Sequence, residues 1–193
     1  MTAAGGQIEF YFDLSSPWTY LGFTNVQRVA ERTGATILWR PILVGAVFNA
    51  VNKFLYELRA LPADSPRMRQ TWKSLDDWAA YTGIAIKFPP KAHPARSVHA
   101  MRMCSALEYD QPALQRFAKA AFEAYFGRDE NLDDPDVLVA AANGAGLDGA
   151  AIRERASAAR SSAASFSASR ASWNGPLSKV FVLRGAFSFF TAA

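Results

Sequence analysis

The stretch Phe10-Tyr11-Phe12-Asp13-Leu14-Ser15-Ser16-Pro17-Trp18-Thr19-Tyr20-Leu21-Gly22 decides how this chain folds. Its first part is aromatic and β-prone, its last part carries apolar residues at helical spacing, and a short turn joins them. Pro17 suits the first helical position, where no N–H is needed. Ser16 is then either an ordinary N-cap or a hydroxyl set over the first helical turn for chemistry. Unpaired N–H groups and the positive end of the helix dipole favour a bound anion there.

Working outward, residues 8–13 read as a buried strand. Residues 17–33 read as a helix, with Tyr20, Leu21, Phe23, Val26, Val29 and Ala30 at its period and Gly34 as a natural stop. Residues 35–40 (Thr36-Ile37-Leu38-Trp39 at their centre) make a second strand that ends at Pro41. Strand, helix and strand in so short a span form a βαβ unit, which requires parallel strands and a right-handed crossover. Residues 41–66 are a long, mostly irregular connection holding Gly45, Val47-Phe48-Asn49 and Asn52-Lys53. Loops of this length in compact domains are often functional.

Helical patterns then dominate, at residues 66–81 (closed by Gly83), 97–109, 112–126, 135–143 and 148–159. A proline-bounded extended segment, residues 84–90, separates the first two. The predicted class is α/β, with a βαβ unit interrupted by a large helical insertion at about residues 66–160. One domain over residues 1–193 is expected, since the chain is too short for two ordinary ones.

The single cysteine, Cys104, excludes an internal disulfide and a cysteine-based metal cluster. It falls in a helical pattern, as a buried structural thiol would. His93 and His99 show no ligand spacing, so no metal is expected. Residues 1–154 hold 16 basic and 17 acidic side chains, so the net charge of +4 comes from the tail. That argues against a nucleic-acid partner. No run approaches the roughly 18 apolar residues of a membrane helix, and Met1 to Gln7 lack the features of a signal peptide. A soluble cytoplasmic protein with no membrane partner is expected.

From Arg155 the texture changes. Residues 155–172 are all Ala, Ser or Arg except Phe166, and no acidic residue follows Glu154. Such a segment buries too little apolar surface to offset its ordering entropy. Short apolar runs return at residues 180–183 and 187–190 around Gly185, as in a terminal hairpin. Residues 155–193 form an atypical tail, disordered or read out of frame from a GC-rich gene, and the C-terminal half of the sheet is not legible in it.

The pattern Phe12-Asp13-x-x-Ser16-Pro17-Trp18-Thr19-Tyr20-Leu21-Gly22 resembles the active-site start of the DsbA-like branch of thioredoxin folds, where a Cys-Pro-x-Cys motif caps the first helix. Ser16 and Thr19 stand at the two cysteine positions, and without either thiol dithiol–disulfide exchange is impossible. Serine at the first position marks the kappa-class glutathione transferases and the 2-hydroxychromene-2-carboxylate isomerases. The latter are the closer likeness. Pro41-Ile42-Leu43-Val44-Gly45-Ala46-Val47-Phe48, Asn52, Trp78-Ala79, Phe88-Pro89 and Ser97-Val98-His99-Ala100-Met101-Arg102 resemble that family's residues over roughly positions 8–150.

The resemblance implies glutathione as cofactor, its thiolate stabilised by Ser16 as the catalytic residue, with Pro17 and Asn52 also at the cofactor. It implies transient addition of that thiolate to a small aromatic carboxylate substrate, rotation about the former double bond, and release of glutathione unchanged. The reaction would be cis–trans isomerisation, 2-hydroxychromene-2-carboxylate to trans-o-hydroxybenzylidenepyruvate. Asn49, Asn52, Lys53 and Arg96 are the substrate-binding candidates. Against these roles, Asn52 also reads as a turn residue, Lys53 as a solvated charge and Arg96 as a structural residue at a helix start.

Two positions depart from the family: Asn49 replaces a frequent lysine, and Arg96 a frequent asparagine. The tail departs further, lacking the Gly-Val-x-Gly-x-Pro segment whose cis-proline backbone pairs with glutathione. A homodimer is the assembly the relatives imply. A kappa-like glutathione transferase, and an inactive thioredoxin-like remnant or binding module, are the competing functions.

Overall fold

The computed structural model describes residues 6–45, 62, 64–158 and 180–181. Strand β1 (Gln7–Phe12), helix α1 (Pro17–Thr33) and strand β2 (Thr36–Pro41) form the predicted βαβ unit. β1 and β2 run parallel, in register from Gln7 opposite Thr36 to Phe12 opposite Pro41. A two-residue strand, β3 (Val180–Phe181), lies parallel to the other side of β1, giving the order β2-β1-β3. The remaining positions of the expected terminal hairpin lie outside the described residues.

Helices α2 (Pro66–Thr82), α3 (Val98–Ala106), α4 (Gln111–Phe122), α5 (Pro135–Gly144) and α6 (Gly149–Ala158) make up the helical insertion. A π-helical turn, Glu123–Gly127, extends α4, where the sequence pattern reads as one continuous helix. Residues 84–90 form no strand and contain a cis peptide bond at Phe88-Pro89; a second lies at His93-Pro94. Arg155 to Ala158 complete α6 despite their low-complexity composition, because Ala156 is buried and the Arg155 guanidinium lies over the Tyr109 ring.

Four helices start with one chemistry: Ser16, Ser65, Asp110 and Asp134 each accept a first-turn N–H, with a proline at one of the first two helical positions. α1 ends at Gly34, whose φ of 67° is the left-handed conformation that glycine adopts without strain.

Phe10 and Phe12 of β1 and Trp39 of β2 point to one face and meet Phe23 of α1 and Phe122 of α4. Phe23 and Trp39 lie 4.4 Å apart between ring centroids, and Tyr20 stacks on Phe122 and Phe126 at 5.1 and 5.7 Å. On the other face Glu9, Tyr11, Leu38 and Arg40 are half-buried. The fully buried strand expected at residues 8–13 is thus an alternating one, because α1 and α4 cover a single face. Along the outer edge of β2, the Gln111 side chain acts as a false strand. Its Oε1 accepts the Trp39 N–H at 2.6 Å, and its Nε2 donates to the carbonyls of Glu108 at 2.6 Å and Trp39 at 3.4 Å.

Candidate functional site

The turn between β1 and α1 is fixed by its own polar groups. The Ser16 N–H donates to the Asp13 carbonyl at 3.1 Å, and the Ser16 carbonyl accepts from the Tyr20 N–H at 3.1 Å. Ser16 Oγ accepts the Thr19 N–H at 3.3 Å. That bond uses an oxygen lone pair, so the hydroxyl proton is left to be donated outward. Pro17 has no N–H, and the Trp18 N–H makes no hydrogen bond among the described residues. Half-buried Ser16 therefore sits beside one open first-turn donor, at the positive end of a 17-residue helix.

A hydroxyl cap of this kind does not by itself define a site. Ser65 caps α2 with the same 3.3 Å bond, to the Met68 N–H, again followed by proline. What differs at Ser16 is what lies beneath it. Asp13, only 1% exposed, accepts from the Ser15 N–H and the Ser15 hydroxyl through Oδ1, and from the Val44 N–H through Oδ2, each at 2.9 Å. The Leu14 N–H reaches the buried Met101 Sδ of α3 at 3.3 Å. The turn is thus tied to the chain leaving β2 and to the helical insertion.

Thr19, at the position of a second thiol, is buried in the first turn of α1. Cys104 is fully buried in α3; burial first, then the nearby Asp13 carboxylate, push its thiol well above the ordinary value. It is the structural thiol expected from its helical pattern.

Arg96 is exposed, immediately before Ser97 at the start of α3, and forms no ion pair among the described residues. Asn49, Asn52 and Lys53 lie outside the described residues. The structure brings Asp13, Ser16, Val44 and Met101 together. Of these, Asp13 and Met101 carry contacts that the sequence reading missed, although both fall inside the quoted motifs.

The segment before α3 is anchored by Tyr125 of the π-helical turn. Its hydroxyl accepts the Ala95 N–H at 3.2 Å and lies 3.0 Å from His93 Nδ1. Burial is the main cause that pushes this phenol up to about 12. A cavity of about 380 Å³ lies at the far end of α1 among Gln27, Glu31, Ile37 and Gln115. It has no part in the Ser16 arrangement. No group of His, Cys, Asp and Glu among the described residues is placed to hold a metal ion, and no helix there is long and apolar enough to cross a membrane.

A βαβ unit with a capped turn at the start of its first helix, interrupted by a helical insertion, defines a thioredoxin-like fold. The sequence model of the DSBA-like thioredoxin domain matches residues 7–166, and the chain belongs to that family. It is similar to the 2-hydroxychromene-2-carboxylate isomerase of Sphingobium xenophagum, at 29% identity over 148 residues, 76% of this chain and 72% of that protein. It is also similar to the uncharacterized protein YwbO of Bacillus subtilis (strain 168), at 25% identity over 154 residues, 76% of this chain and 69% of the relative. Among solved structures, that of a 2-hydroxychromene-2-carboxylate isomerase superposes with a TM-score of 0.63 at 22% identity, covering 84% of this chain and 78% of that one. The relatives of the chain therefore include an isomerase.

Proposed function

We propose that this chain is a glutathione-dependent cis–trans isomerase acting on a small aromatic carboxylate of the 2-hydroxychromene-2-carboxylate type. The observation that carries the reading is Ser16: its Oγ accepts the Thr19 N–H, which leaves its proton to be donated beside the open Trp18 N–H. The identity to an isomerase over most of the chain supports it. These groups fit an anionic sulfur, which wants hydrogen-bond donors and a positive helix end and no metal.

When bound, glutathione would supply a nucleophilic thiolate. Ser16 donates its hydroxyl proton to that sulfur, and the first turn of α1 offers the Trp18 N–H. The single buried cysteine leaves no dithiol for redox exchange. Asn49, Asn52, Lys53 and Arg96 are proposed to hold the substrate, with Lys53 or Arg96 pairing its carboxylate.

Calorimetry with glutathione, using Ser16→Ala as the comparison, tests the reading. Loss of one charge-assisted hydrogen bond should weaken binding roughly tenfold to a hundredfold. Isomerised product with glutathione unconsumed supports the isomerase; a glutathione conjugate would assign the chain to kappa-like transferases instead. No heat from the folded native protein refutes the cofactor role.

A further inference from the structure

We propose that Asp13 is a positioning residue for this site, clamping the Ser16 turn to the root of the loop that follows β2; the proposal rests on the glutathione reading above. Asp13 bonds to three residues at once. Its carbonyl accepts from Ser16, its Oδ1 from both donors of Ser15, and its Oδ2 from the N–H of Val44. Val44 leads in sequence to Asn49, Asn52 and Lys53. One carboxylate therefore sets the spacing between the Ser16 hydroxyl and the start of the segment that carries the other candidate site residues.

A buried carboxylate is costly to desolvate, and Asp13 has no cationic partner among the described residues. Its charge is met by three donors and by the nearby start of α1 instead. Capping alone does not require this. The second Ser-Pro start, Ser65-Pro66, caps α2 with an equal bond while the Ser65 N–H goes to the Pro62 carbonyl, and among the described residues no carboxylate bonds to that turn. The additional groups at Ser16 thus serve its placement, not the helix start. Asparagine cannot replace Asp13, since both of its oxygens accept and an amide would turn one NH2 toward a donor.

The test combines amide hydrogen exchange with glutathione calorimetry on the full chain. Asp13→Asn should speed exchange at the Ser15 and Val44 amides by about tenfold or more, leaving α4 and α5 unchanged. It should weaken glutathione binding roughly fivefold, yet change it less than about twofold in a Ser16→Ala background, because the two act through one contact. Val44→Pro leaves the Asp13 carboxylate in place while removing the N–H that Oδ2 accepts, with φ at residue 44 fixed by the ring, and should weaken binding in the same direction, which serves if Asp13→Asn does not fold. Unchanged exchange at Val44 in Asp13→Asn overturns the clamp. Faster exchange with unchanged affinity, or a loss as large in the Ser16→Ala background, overturns the positioning role. Native protein that takes up no glutathione refutes the parent reading, while the exchange data still decide the clamp.

Discussion

Tyr125 shows how a single residue far from the quoted motif holds the candidate site's surroundings. Its hydroxyl takes the Ala95 N–H, one residue before Arg96, so it fixes where the chain enters α3. The phenol is raised from 10 to about 12, mainly by burial. The neutral form is favoured in the fold, so this residue's contribution is fully present below pH 10. It is lost as pH rises toward 12, because the unfolded chain releases the proton first. Tyr20 is raised for the same main reason and adds in the same direction. Tyr125→Phe should lower stability by about 1–2 kcal/mol at neutral pH, and flatten part of the loss of stability at alkaline pH. Denaturant melts at pH 7, 9 and 11 would show both. Ser16 was legible because its neighbours spell a strand, a turn and a proline-opened helix. Asp13's bond to Val44 was not, since contacts between residues 31 apart follow from packing and not from local pattern.

At the scale of elements, helix starts were the most readable feature, because capping chemistry is local. Residues 17–33 and the boundaries at Gly34 and Pro66 agree with the observed helices. The π-helical turn was not foreseen: residues 112–126 keep an apolar helical period through Phe122 and Phe126, and period alone does not distinguish a wider turn. The close approach of α5 and α6 was also silent in the sequence. A Cβ on Gly149 would lie 2.5 Å from the Val139 carbonyl oxygen and 3.0 Å from Asn143 Oδ1. Those are backbone and hydrogen-bonded neighbours, as the Gly149 N–H donates to Asn143 Oδ1. Gly149→Ala should therefore force α6 off α5 and cost about 1–3 kcal/mol, read as a lower melting temperature with the helical circular dichroism retained.

At the scale of the molecule, the sequence specifies the βαβ unit and the insertion, and it loses the sheet where the Ala/Ser/Arg tail begins. β3 supplies two residues beside β1, at Glu9 and Phe10. The opposite edge is where Gln111 acts, and Gln111→Ala would leave the N–H and carbonyl of the nearly buried Trp39 without their side-chain partner. A stability loss of about 1–3 kcal/mol is expected, measured by chemical denaturation.

That glutamine has a consequence for assembly. Sheet edges are where identical chains most easily zip together, and here one glutamine side chain already occupies two of the backbone sockets a neighbouring copy would use. Two copies of this protein meeting edge to edge along β2 would have to evict it. A pair formed in solution would therefore be joined elsewhere, and the β2 flank of the sheet would stay solitary.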